Sequence, residues 1–114
     1  MLCDDLIFYS RVSGAAEAAG RAVRMVRTAE QLAAAARTAP PAGVIVDLQN
    51  PGLDLPGLLA ALKGACPVMP RVIAYGSHVA ADVLRAARQA GCDRVMPRSQ
   101  FVEVLGAEIG EWLR

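Results

Sequence analysis

Residues 44–54 read VIVDLQNPGLD: three branched apolar residues, Leu48 beyond an aspartate, then a turn marked by Asn50, Pro51 and Gly52. An unbroken apolar run closed by a turn is the pattern of a strand covered on both faces of a parallel sheet. That reading sets Asp47 at the strand's carboxyl end. Ligands of open parallel sheets bind in the crevice beyond that end, so Asp47 is the first candidate for chemistry.

Upstream, Asp5–Tyr9 is a short run rich in β-formers and is read as the first strand. Ser13 then stands as N-cap before AAEAAGRA (15–22), a short helix. Val23–Arg27 alternates like an edge strand exposed on one face, and Thr28 caps AEQLAAAAR (29–37), a strong helix former. Pro40 and Pro41 cannot continue a helix and lead into the central strand. Downstream, Leu55–Leu62 reads as a helix, Val72–Tyr75 as a second buried strand, Val79–Ala90 as a helix closed by Gly91, and Asp93–Met96 as a last strand. Ser99 is expected to cap a final helix with Phe101, Val104, Leu105, Ile109 and Trp112 on one face and Glu103 and Glu111 turned away. The alternation predicts a doubly wound α/β domain over 1–114, a flavodoxin-like three-layer sandwich with a five-stranded parallel sheet of order 2-1-3-4-5.

Composition narrows the function. A chain of 114 residues can bury one core and is too short for two. It is 54% hydrophobic with mean hydropathy +0.34, yet no run approaches the roughly 18 apolar residues of a membrane span. No basic start followed by an apolar stretch and a cleavage site is present, so a cytoplasmic protein without membrane contact is expected. The net charge of +1 gives no electrostatic ground for nucleic-acid binding. Cys3, Cys66 and Cys92 are widely spaced, with no CxxC or Cys/His cluster, so they are read as reduced thiols and not as a zinc site. Arg outnumbers the single Lys63 without regard to position, a base-composition effect. No GxGxxG or GxxxxGKS stretch is present, and SRVSG (10–14) has too few glycines for a phosphate loop.

Two segments, VIVDLQNPGLDLPGLL (44–59) and RVIAYGSHVAADVLRAARQAGCDRVMPRSQF (71–101), resemble the CheY-like receiver domains of two-component response regulators, the phosphorelay proteins of bacteria. The resemblance implies that Asp47 holds the phosphoacceptor position, with Pro51 and Gly52 following as they do in that family. It also implies departures. The family carries a Mg²⁺-chelating acidic pair at the end of its first strand, and a strand over 5–9 puts Tyr9, Ser10 and Arg11 there. Asp4 and Asp5 would then lie at the wrong end, roughly 16 Å away at about 3.3 Å per residue. The family's lysine aligns with Arg98, the proline after it with Ser99, its Thr/Ser with Gly76 beside Ser77, and its aromatic switch position with Val95.

Phosphoryl transfer is mostly positioning and charge neutralisation, and Mg²⁺ demands an octahedral shell of oxygens. With Asp47 as the one crevice carboxylate, no cofactor is expected, Mg²⁺ included. Arg11 and Arg98 are then expected to pair with Asp47 in the metal's place, in a crevice lined by Ser10, Arg11, Gly76, Ser77 and Arg98. The plainer reading leaves Asp47 partly solvated, capping its own loop. His78 is read as a surface loop residue more readily than as a general base or phosphohistidine, Ser77 as a helix cap more readily than as a signalling hydroxyl, and Cys92 as packing.

These readings converge on a stand-alone atypical receiver, not an enzyme, acting in signal transduction through protein–protein contact. The resemblance implies that the contact face, for a protein partner or a homodimer, is the one formed by the helix over 79–90, the strand over 93–96 and the last helix. Val79, Val83, Leu84 and Val102 are its candidate apolar residues. Two alternatives remain: a single-domain response regulator phosphorylated at Asp47, or a small-molecule sensor or enzyme using Asp47, Ser77 and His78.

Overall fold

The computed structural model describes all residues, Met1 to Arg114. Three parallel strands, β1 (Gly43–Asp47), β2 (Arg71–Gly76) and β3 (Arg94–Pro97), lie side by side in that order. Five helices surround them: α1 (Leu6–Ala18), α2 (Ala29–Thr38), α3 (Leu55–Ala65), α4 (Ala81–Ala90) and α5 (Arg98–Trp112). None is long and apolar enough to cross a membrane.

The unbroken apolar runs are explained by where successive side chains go. In β1 and β2, Val44, Val46, Val72 and Ala74 enter a core with Leu32 of α2, Leu58 and Leu62 of α3, and Leu84 of α4. Their neighbours Ile45, Ile73 and Tyr75 enter a second core with Phe8, Val12 and Ala16 of α1 and Phe101, Leu105, Ile109 and Trp112 of α5. Both faces of the sheet are therefore covered, and alternation has no polar side to show. Thr28 accepts from Gln31 N at 3.1 Å and Asp54 from Gly57 N at 3.2 Å, capping α2 and α3. Gly91 ends α4 at φ +109°, a conformation that favours glycine.

The amino-terminal third departs from the expectation. Residues 6–9 are helical, not a strand, and Ser13 lies inside α1 instead of capping it. The cap is Asp5, whose carboxylate accepts from Phe8 N at 2.9 Å. Phe8, Val12 and Ala16 recur every four residues and are buried, while Leu6 and Ile7 are 63% and 85% exposed. That is a helical stripe, which a five-residue window of β-formers hides.

The first stretch of extended chain is instead Met1–Cys3, reduced to Leu2, which bridges in parallel to Val46 on one side and Val26 on the other. Leu2 N donates to Ile45 O at 2.8 Å, and Cys3 N to Val26 O at 3.1 Å. The regular sheet thus has three strands where five were expected, and the segments over 1–3 and 23–26 flank it through single bridges. Two smaller corrections concern the last helices. Ser99 does not cap α5, which starts at Arg98 without a side-chain cap, and α4 starts at Ala81, leaving Val79 in the preceding loop.

Candidate functional site

The carboxyl ends of the strands gather Asp47, Gly76 and Pro97 with the start of α1. Asp47 closes β1, and its backbone N–H donates to Leu2 O at 2.9 Å. Its half-buried carboxylate accepts from Gln49 N at 2.9 Å and forms no ion pair. Burial pushes its pKa above the ordinary carboxylate value. The Gln49 N–H and the Arg98 charge oppose that shift, and the Asp5 charge adds to it.

Correcting the first strand moves the acidic residues. With extended chain over 1–3 rather than 5–9, Asp4 and Asp5 follow its carboxyl end directly, on the same side of the sheet as Asp47. The placement of Tyr9, Ser10 and Arg11 in the crevice is overturned. Ser10 and Arg11 are exposed along α1, beyond its first turn, and Tyr9 donates to Val23 O at 2.6 Å. Arg11 does not pair with Asp47.

Arg98 does reach the crevice, but its partner is Asp5. Its Nη2 donates to Asp5 Oδ2 at 3.2 Å, and its guanidinium lies 4.1 Å from the centre of the Phe8 ring. A planar, delocalised cation can do both at once, stacking with one face while its edge donates. The Phe8 N–H, followed by Arg98, holds the Asp5 carboxyl below its ordinary range. Asp4 faces Arg27 at 3.8 Å.

The remaining candidates are locally occupied. Gly76 ends β2 and presents no side chain; an added Cβ would meet Leu84 and Leu48 at 3.4 and 3.5 Å, ordinary contact distances. Ser77 Oγ accepts from Val79 N at 3.3 Å, shaping the turn before α4, and His78 is exposed. Cys92 is half-buried, its thiol pushed up to about 11 by burial and then by Asp93, as suits a packing residue.

The resemblance brings Mg²⁺ with it, and the acidic side chains at this end of the sheet already have protein partners. Both oxygens of Asp5 are engaged, by Phe8 N and by Arg98, and Asp4 is turned to Arg27. No three His, Cys, Asp or Glu side chains come together closely enough to hold a metal ion.

Asp4 and Asp5, which the sequence places at the wrong end of the first strand, belong to this end of the sheet, as do Asn50 and Tyr75, to which it assigns no site role. The doublet Asp4-Asp5 after a short apolar start was a usable signal, since an aspartate before an apolar run is also an N-cap signal. Asn50 is buried, and its Nδ2 donates to Arg27 O at 3.0 Å, tying the loop after β1 to the loop before α2. Nothing local distinguishes it from any turn asparagine.

Neither a protein-family model nor a curated protein sequence matches the chain. Solved structures do. The receiver domain of NtrX from Brucella abortus is similar over 98% of this chain and 94% of its own, with a TM-score of 0.81 and 21% identity. In the longer NtrX structure the chain matches only 25% of that protein's length, with a TM-score of 0.80 and 21% identity. A Burkholderia pseudomallei response regulator, solved with a phosphorylated aspartic acid, a calcium ion and citrate, is similar over 99% of this chain and 64% of its own, with a TM-score of 0.76 and 20% identity. The fold is therefore the CheY-like receiver fold.

Proposed function

We propose that this chain is a receiver-type signalling module that works through protein–protein contact, without metal-dependent phosphorylation of Asp47. The observation that carries the reading is the Arg98–Asp5 pair. Arg98 spends its charge on Asp5, Asp5 is also the cap of α1, and Asp47 is left with one N–H donor. A transferring phosphoryl group needs its spreading negative charge offset at once, and in this reading the cation nearest Asp47 is held by Asp5 instead. Gly76 adds no hydroxyl.

The contact face in this reading is formed by α4, β3 and α5, for a protein partner or a second copy, with neither nucleic acid nor membrane involved. Val83 is 43% exposed on α4 and Val79 is 80% exposed just before it, whereas Leu84 is core and drops out of the candidate surface. Val102 is half-buried.

A second reading, phosphorylation at Asp47, is favoured by one specific observation: the Asp4-Asp5 doublet stands at the same end of the sheet as Asp47, so the acidic residues are not missing. Incubation with a small phosphodonor and Mg²⁺, followed by intact mass, separates the two. The first reading expects no added phosphoryl group in either wild type or Asp47→Asn. Addition to wild type alone establishes the second.

A further inference from the structure

Tyr75 is 1% exposed, yet its hydroxyl has no hydrogen-bond partner. Buried hydroxyls are nearly always satisfied, by protein or by ordered water, so an orphan of this kind marks a missing partner. The ring is held in place by Phe8 and Phe101, with centroids at 5.1 and 4.6 Å. Tyr75 and Asp47 are register partners on adjacent strands, so their side chains leave the same face of the sheet.

The groups whose charges bear on the phenol are Asp47 first, then Cys3, Arg98 and Asp5, all at the carboxyl end. Of these, Asp47 is the group that shares the phenol's face of the sheet by register. Burial, with the Asp47 charge adding to it, raises the phenol's pKa far above its ordinary value, so the group is a protonated donor. Among the nearby acceptors, Asp5 already has both oxygens engaged, while Asp47 accepts from Gln49 N alone. From the strand itself no other hydroxyl competes, because Gly76 has none.

We propose that Tyr75 is a positioning residue for Asp47: its O–H donates to one bridging water, which donates in turn to the Asp47 carboxylate and holds that side chain in the crevice. Two polar groups on one face that do not bond each other directly are the setting in which a single water serves both. The bridge gives Asp47 a second fixed donor despite its lack of an ion pair. It stands whether or not Asp47 is ever phosphorylated, and its test uses no phosphodonor.

The chain has two tyrosines, so the difference between wild type and Tyr75→Phe isolates the ultraviolet resonance Raman ring doublet of Tyr75, which reports whether the phenol donates. The expected result is a donating phenol in wild type, a weaker donor signature in Asp47→Asn, loss of the signature in Asp47→Ala, and no change in Asp5→Asn. A non-donating phenol in wild type overturns the proposal. So does a signature unchanged in Asp47→Asn, or one that follows Asp5 and not Asp47. Should Asp47→Ala fail to fold, wild type and Asp47→Asn suffice to decide.

Discussion

Arg98 and Asp5, 93 residues apart in the chain, meet at 3.2 Å across the mouth of the crevice, joining the start of α5 to the start of α1. Both side chains are more than a third exposed, so the pair's value lies in where it holds the carboxylate more than in global stability. Arg98→Gln is expected to raise the Asp5 pKa toward the ordinary value with little change in Tm. Carboxyl-carbon NMR titration checks the first and thermal unfolding the second. Asp5 chemical shifts that titrate identically in both proteins would show that the pair is not formed in solution.

Asp47 carries the opposite linkage. Its folded pKa is raised, so the folded state binds the proton more tightly than the unfolded chain, and ionisation at higher pH costs stability. Asp47→Asn, which can still accept from Gln49 N, is therefore expected to be more stable than wild type at neutral pH. The gain should shrink as pH falls through the raised Asp47 pKa, and vanish below the ordinary carboxylate value. Thermal melts of both proteins across that range give the result, and a gain that grows toward acid pH contradicts the burial argument.

Phe8 and Ile7 distinguish the helical from the extended reading of residues 6–9. Phe8 packs against Tyr75 and Phe101, whereas Ile7 is 85% exposed. Phe8→Ala is expected to cost about 3–5 kcal/mol, against about 0.5 kcal/mol or less for Ile7→Ala. Equilibrium urea unfolding measures both, and comparable losses would place Ile7 inside the core.

Gly43 opens β1 directly against the backbone carbonyl of Trp112, where an added Cβ would collide. Backbone cannot swing aside as a side chain does, so Gly43→Ala is expected to cost about 1–3 kcal/mol by overpacking. Gly106, with open space around its missing Cβ, is the control: Gly106→Ala within α5 should stabilise by about 0.5–1 kcal/mol. Chemical denaturation of the pair reads the contrast, and equal effects would rule out the collision.

The central and carboxyl-terminal part of the fold was legible because its signals are local. VIV before Asp47, the apolar run over 72–75, Thr28 before α2 and Gly91 after α4 each carry their own physical cause, and each element forms there, α4 two residues shorter at its start than its pattern suggests. The amino-terminal third was not legible in the same way. Leu6–Tyr9 satisfies both a short strand and the first turn of a helix, and only the partners of Phe8, Val12 and Ala16 on α5 and β2 decide between them. Shifting that boundary carries Asp4 and Asp5 from one end of the sheet to the other, and with them the reading of the crevice.

The sequence by itself determined that Asp47 ends a buried parallel strand, because burial on two faces writes an unbroken apolar run and the crevice follows from the sheet's direction. It also named Arg98 as a residue of that crevice. Only the tertiary structure decided that Arg98 pairs with Asp5 and not with Asp47, and that Tyr75 buries its hydroxyl on the Asp47 face. Those are contacts between residues tens of positions apart, fixed by strand register and by which helix lies on which face, and no local pattern of residues encodes them.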